Sequence, residues 1–578
     1  MGTARFRLVE AVPVLAQLHG YSRRALGRDL VAAFNYAATL VPQGLAYGTI
    51  AGLAPAAGLY TTLGAALVFS VVTSTRFVVV GPSSTLAVMT FEAVHGRAAG
   101  DPARAAALAG CLAVLVGLLC VASPLLRMQR VSDLLSGPVM LGFLAGTGMV
   151  IFVGQVGVLL GVPAEGERAL AKLWSVLTHV GTAHVVTAAV GLSAVVLILL
   201  LKRYAHGIPA SLVVLLLAAL ASAVLHLSDH GVAVVGAVTG GLPTPRLPAV
   251  TGADVRALLP AATGVALVAV VETVTTIRKT TDPGAPRLSL GRESTALGAA
   301  SLASGLLGGF APMASTSSSL SARSVGARSQ LFQIGSAGIV LFALVSGGPI
   351  FARLPLAVLA ATLVTVSVPR LIDVAGFLRL WHGWRVEALI ALVTAAAVVG
   401  LGVLHGLLVA VALAIGQLLR SSTHPHDAVL AVTSSDEPAH EIDEKRLPGS
   451  SVLIYRVDAP LFFANADRVA DRIRALAAAC GPELRSLILD AGTVFYLDAT
   501  AAETMAQLTV DLRERGCELL LARVRTPVLA ALRANPYRAG ATRDLPAFPS
   551  VHQAHARAQE KLALRRDEGG KDPQRSED

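Results

Sequence analysis

Two hydroxyl-rich breaks interrupt an otherwise apolar chain. Gly81-Pro82-Ser83-Ser84-Thr85 splits one hydrophobic run, and Ala311-Pro312-Met313-Ala314-Ser315-Thr316-Ser317-Ser318 splits another. Proline lacks an N–H and suits the first turn of a helix, so each break reads as a helix that begins inside a membrane. A helix N-terminus offers unpaired N–H groups and roughly half a positive charge, and hydroxyls add donors without a fixed charge. Ser83, Ser84, Thr85, Ala314, Ser315, Thr316, Ser317 and Ser318 are therefore candidate contacts for a small oxyanion. About half of these hydroxyls are expected to serve helix packing or to bond back to carbonyls instead.

Glu272 lies in the apolar run GVALVAVVETVTTI, and an ionisable group within a span marks an ion pathway by default. Thr276 follows at i+4, on the same helical face, so the two could share a coupling Na+, or Glu272 alone could carry H+. The structural alternative is a carboxyl hydrogen-bonded to a neighbouring helix. Gln43, after Pro42 in LVPQGLAYG, is a further candidate contact, whereas Tyr47 and Phe34 read as core. Pro82 and Pro312 lie 230 residues apart, and Gln43 and Glu272 lie 229 apart. Two landmarks with nearly one offset argue for an internal repeat, and paired proline breaks point to a secondary transporter's binding site.

These residues need membrane helices to position them. The 578 residues are 54% hydrophobic and 15% charged, far below the charge of a soluble domain. Apolar runs from about residue 30 to 419 divide into about fourteen spans or part-spans, several too short to cross alone. Loops after even-numbered spans carry fourteen Arg and Lys against seven after odd ones, and the N-terminus adds Arg5, Arg7, Arg23, Arg24 and Arg28. The positive-inside rule then places both termini in the cytoplasm, and seven spans per half makes the repeats inverted. No cleavable signal peptide is read at the N-terminus. The net charge of +10 is scattered over short loops, which excludes a nucleic-acid groove. Cys111, Cys120, Cys480 and Cys517 show no metal spacing and read as free and buried, and without a nucleophile set or cofactor loop an enzyme is not expected.

The chain divides into a cytoplasmic segment 1–28, a transport domain 29–420, a polar linker 421–450, a soluble domain 451–556 and a charged, disordered tail 557–578. Strand-like runs at 452–457, 484–489 and 518–524 alternate with amphipathic runs at 465–478 and 501–515, which indicates a small α/β module. His424, His426 and His440 in the linker read as solvated loop residues.

LVPQGLAYGTIAGLAPAAGLYT, VVVGPSSTLAVM and GARSQ closely resemble the SulP anion permeases. VLIYRVDAPLFFANAD, LILDAGTVFYLDATAAETM and CELLLARVRTPV resemble the STAS domain those permeases carry. The resemblance implies a polytopic α-helical membrane protein of fourteen spans in seven-plus-seven inverted repeats, like the uracil transporters, plus a cytoplasmic α/β STAS domain. It further implies substrate held between spans one, three, eight and ten, a gate domain, elevator-like movement and a homodimer in the cell (inner) membrane. Ser318 stands where many members place an Arg on the tenth-span half-helix, with Arg323 a turn or more later. Glu272 and Thr276, with the hydroxyls, look more like the cation-coupled bicarbonate members. Thr500, in the loop 498–501, is the hydroxyl that STAS-type phosphorylation would use. The expected function is transport of a small inorganic anion by symport with Na+ or H+, with sulfate first, bicarbonate second and C4-dicarboxylates third. No cofactor is expected beyond a coupling Na+. An anion channel and a membrane-anchored signalling scaffold, in which STAS binds a cytoplasmic protein partner, are the rival classes.

Overall fold

A computed structural model describes Val14, Gln17 and residues 21–125, 136–164, 166, 168–205, 208–236, 243–281, 288–432, 439–444, 447, 449–534 and 539–569. Arg5, Arg7, Arg127, Arg130, Arg287 and residues 570–578 lie outside the described residues. The chain divides into two compact units, Met1–Ala414 and Ile415–Asp578.

In the first unit the order is α1 Arg23–Ile50, α2 Ala56–Val72, β1 Val80–Gly81, α3 Ser84–Ala98, α4 Pro102–Ala122, α5 Gly137–Leu160, α6 Ala169–Thr178, α7 Val185–Tyr204, α8 Ala210–Val224, α9 Gly252–Thr280 and α10 Leu290–Leu306. There follow β2 Met313–Ala314, α11 Thr316–Val325, α12 Leu331–Ser346, α13 Gly348–Ala352, α14 Leu356–Thr362, a π-turn Leu363–Ser367, α15 Val368–Leu371, α16 Val374–Gly383, α17 Arg385–Leu401 and α18 Val403–Thr423. Among the described residues, six segments are long and apolar enough to span a membrane: Pro102–Ala122, Gly137–Leu160, Val185–Tyr204, Gly252–Thr280, Leu356–Gly383 and Val403–Arg420. Several apolar helices are shorter, including α2, α8 and α12. Where sequence marks the ends, it does so by capping. Asp101 accepts from Ala103 N ahead of Pro102, and Thr251 and Asp254 form a reciprocal capping box at the start of α9.

Each proline break becomes a two-residue strand followed by a helix, and the two strands pair antiparallel, Val80 with Ala314 and Gly81 with Met313. α12 packs beneath this ribbon. Gln330 Nε2 donates to Thr75 O (3.2 Å) and Val78 O (2.9 Å), and Gln333 Nε2 donates to Val80 O (2.9 Å). The GARSQ segment also ties the ribbon to α1. Buried Asp29 accepts from Arg328 N (2.5 Å) and Ser329 Oγ (2.6 Å), and Gln17 Oε1 accepts from Gln330 N (3.0 Å).

The second unit is a six-stranded sheet in the order β4-β3-β5-β6-β7-β8, built from β3 Asp427–Ala431, β4 His440–Glu441, β5 Val452–Val457, β6 Ser486–Asp490, β7 Glu518–Ala522 and β8 Ala547–Phe548. β5 to β8 run parallel, and β3 is antiparallel to β5. Alternation sorts the side chains. Leu453, Tyr455, Leu487, Leu489, Leu519 and Leu521 face the helices Ala466–Cys480 and Ala499–Glu514, while Ile454, Ile488 and Leu520 face the other way. Two boundaries differ from the sequence reading. The range 421–450 is not only linker, because β3 and β4 within it complete the sheet. DAVLA is one short run between Pro425 and a charged stretch, and its apolar residues gain meaning only from the partner strand β5. The range 557–578 is likewise not all tail. Helix Val551–Gly569 covers the second face of the sheet with Val551, Ala554 and Ala558, without which Ile454, Ile488 and Leu520 would meet water. All four cysteines are free and buried, and burial pushes the Cys517 thiol up to about 12.

The pairing of α1 with α2 sets the depth at which Gln43 sits. A Cβ on Gly58 would stand 1.9 Å from Gly44 O, so the two backbones touch directly. By contrast Gly154, on α5, has open space around its Cα. Gly58→Ala is expected to cost about 1–3 kcal/mol by forcing the helices apart, whereas Gly154→Ala stays neutral or gains up to about 1 kcal/mol. Thermal unfolding of the two variants in detergent checks the contrast, and equal midpoints would contradict it.

Candidate functional site

A cavity of about 400 Å³ opens where the two half-helices begin. Gln43 of α1, Ser83, Ser84 and Thr85 of the first break, Glu272 of α9, and Ala314, Ser315, Thr316, Ser317 and Ser318 of the second break all line it. The two breaks, whose prolines are 230 positions apart in sequence, thus share one wall, because antiparallel β1 and β2 bring the starts of α3 and α11 side by side.

The two helix starts differ in how they are capped. At α3 the N-cap is Ser83, whose side chain caps nothing, and the first intrahelical bond is Ala87 N to Ser83 O. The N–H groups of Ser84, Thr85 and Leu86 are therefore left without an intrahelical acceptor. At α11 Ser315 Oγ accepts from Ser318 N at 3.3 Å and donates to Ser318 Oγ at 2.9 Å, which leaves the N–H groups of Thr316 and Ser317. Ser319 is a packing residue, since its Oγ donates to Ser315 O (2.7 Å) and accepts from Val79 N (2.9 Å). Two buried side-chain groups in the wall have no protein partner: Gln43 Nε2 and Thr85 Oγ1. A buried donor without an acceptor is costly, and a bound oxyanion is the simplest way to satisfy both.

Glu272, Thr276 and Lys279 fall at i, i+4 and i+7 on α9 and form one stripe. Thr276 lies fully buried behind the cavity, with its Oγ1 2.7 Å from Thr316 Oγ1. Thr273 on the next face reaches the ribbon, where its Oγ1 accepts from Ala314 N at 3.4 Å. α9 is thus fastened to β2 and α11 at two points. Among the described residues no protein group donates to Glu272, so its carboxyl is open to the cavity.

Several residues fall elsewhere than expected. Tyr47 is buried core, as read, and in addition lines the cavity, where its hydroxyl lies 2.9 Å from Ser367 Oγ of the π-turn. Phe34 lines a separate apolar cavity of about 230 Å³ with Phe342 and Ile350. Arg323 is not in the site: its Nη1 donates to Thr280 O (2.9 Å) and its guanidinium lies over Phe77. Lys279, Ser367 and Arg370 line the cavity, although reading by loop charge assigns both cations to topology. The spacing of seven from Glu272 is a signal for Lys279, whereas Arg370 carries none in the sequence. In the other unit Thr500 is exposed in the first turn of helix Ala499–Glu514, one residue beyond the cap Asp498 plus Ala499. His426 pairs with Asp458 at 3.3 Å, and no metal-binding group is found among the described residues.

Residues 26–394 match the model of the sulfate permease family, and residues 446–554 match that of the STAS domain. A probable sulfate transporter of Mycobacterium tuberculosis is 37% identical over 526 residues, covering 90% of this chain and 93% of that protein. Sulfate anion transporter 1 of Homo sapiens is 27% identical over 612 residues, covering 90% and 86%. Among solved structures, the murine Solute Carrier 26 family member A9 anion transporter in the inward-facing state matches with a TM-score of 0.85 at 20% identity, covering 95% of this chain and 94% of that one. The transmembrane domain of a cyanobacterium bicarbonate transporter, BicA, matches with a TM-score of 0.60 at 23% identity, covering 68% and 98%. At those identities the structural likenesses speak for the fold alone. With a family model spanning well over half of its length and a close relative along nearly all of it, the chain belongs to the sulfate permease family of multi-pass membrane anion transporters and carries a C-terminal STAS domain.

Proposed function

We propose that this protein is a secondary active transporter of small inorganic oxyanions, sulfate first, coupled to Na+ or H+ through Glu272 and moving by an elevator-like mechanism. The observation that carries the reading is the convergence of two half-helix starts on one cavity that also holds the unpartnered donors Gln43 Nε2 and Thr85 Oγ1. Two such helix ends together present roughly one positive charge. Glu272, open to the same cavity, would repel the anion while ionised, so a proton, or a Na+ shared with Thr276, makes anion and cation binding mutually favourable. The names of the relatives support sulfate. The Glu272–Thr276 pair is the feature that favours bicarbonate with Na+ as the second reading.

The antiparallel register of β1 and β2 supports an inverted relation between the two halves. Ribbon, α3, α11 and α9 are joined by hydrogen bonds, which supports their moving as one body. Both termini in the cytoplasm, a homodimer in the inner membrane and a cytoplasmic partner for STAS complete the reading. Thr500, exposed in a first helical turn, is a place where a phosphate would meet a favourable helix end. Phosphoproteomics that finds it unmodified in all growth conditions would remove that element.

Uptake of labelled sulfate and bicarbonate into proteoliposomes, with and without Na+ and pH gradients, tests the function. Gradient-driven, saturable sulfate uptake is expected, and Glu272→Gln is expected to abolish the dependence on the cation while leaving a folded protein. Bicarbonate uptake driven by Na+ alone would replace sulfate with the second reading, and non-saturable flux would indicate a channel. Thr85→Val removes a hydroxyl that bonds to no protein group. It should weaken the anion about fivefold, the worth of roughly one hydrogen bond, and leave thermal unfolding without ligand unchanged. A stability loss with unchanged binding would show that Thr85 is structural.

A further inference from the structure

The cavity has a second wall, and its charge has no place in the sequence reading of the site. Arg370 on α15 and Lys279 on α9 both line the cavity that contains the two helix starts. Arg370 is exposed to it and forms no ion pair with any carboxylate among the described residues. Its position depends on the π-turn Leu363–Ser367 just before it. A π-turn accommodates one extra residue, which rotates whatever follows by about 100° relative to a continuous α-helix. Ser367 is turned to meet the hydroxyl of Tyr47 on α1, and Arg370, three residues on, shares its side of the helix. Lys202 Nζ takes up the carbonyl of Thr365 within that same turn at 2.7 Å, which fixes the distortion in place.

We infer that Arg370, with Lys279, makes the site selective for divalent oxyanions. Resting on the reading of this cavity as the anion site, the assignment adds the substrate's charge class. The helix starts and hydroxyls accept any small oxyanion, since they recognise oxygen atoms and carry little net charge. Two fixed cations lining the same cavity change the balance, because the energy of a cation–anion pair scales with the anion's charge. Arg370 offers a planar fork that can hold two oxygens of a tetrahedral dianion. Lys279 stands two turns from Glu272, so neutralising Glu272 by a cation leaves both positive charges to the anion. The cation thus comes from a wall other than α11, where Ser318 stands.

The test is equilibrium binding of radiolabelled sulfate and bicarbonate to the purified full-length protein, for wild type, Arg370→Gln, Arg370→Lys and Lys279→Gln. Removing one unit charge should reduce sulfate affinity by about the square of its effect on bicarbonate, so a threefold loss for bicarbonate accompanies about a tenfold loss for sulfate. Arg370→Lys should recover most of the bicarbonate affinity and only part of the sulfate affinity. Thermal unfolding of each variant reports on folding. Equal losses for the two anions, or no loss in either Gln variant, would overturn the assignment and leave Arg370 and Lys279 as topology determinants. Charge-selective binding in a wild type that shows no gradient-driven uptake would uphold it while removing coupled transport. Uptake with binding indifferent to Arg370 would do the reverse.

Discussion

A chain that breaks a helix in hydrocarbon must give every freed backbone group a partner, because no water is there to take it. This protein meets that demand with a ribbon two residues long. β1 and β2 satisfy one another, Gln330 and Gln333 take the carbonyls of residues 75, 78 and 80, and Ser319 takes the N–H of Val79. The partners come from α11 and the start of α12, so α11, α12 and the loop before β1 cannot shift independently. Around the cavity, the groups left without a protein partner are the free N–H groups of the two helix starts and the side chains of Gln43 and Thr85.

Much of that site was legible in the sequence. Proline marks a helix start wherever it occurs, and hydroxyls in an apolar run are conspicuous, so Ser83–Thr85 and Ala314–Ser318 could be named from composition and spacing alone. Glu272 and Gln43 stood out for the same reason. The opposite wall was illegible because Arg370 looks like any loop arginine. Only the π-turn brings it to the cavity, and a π-turn has no sequence signature. Tyr47 packs in the core as an aromatic in a span usually does, and only its partner Ser367, 320 residues away, reveals that it also borders the cavity.

The C-terminal unit shows a similar limit. Strands β5, β6 and β7 declare themselves by apolar runs buried on both faces, as parallel strands do. The edge strands β4 and β8 are two residues each, β3 is an isolated run of five, and helix Val551–Gly569 is amphipathic chiefly through alanines, so none of them stands out until the sheet they complete is known.

The ribbon is held by main-chain bonds, and the side chains that support it, Gln330, Gln333 and Ser319, do not line the cavity. The hydroxyls at residues 83–85 and 315–318 are thus freed from the duty of holding the backbone, with Ser315 the exception. If the cavity is the anion site proposed above, substitutions among them would change which solute is recognised without dismantling the architecture that presents it. On that reading one scaffold could diversify into carriers of different cargo, since the bonds that hold the ribbon lie outside the hydroxyls that would select it.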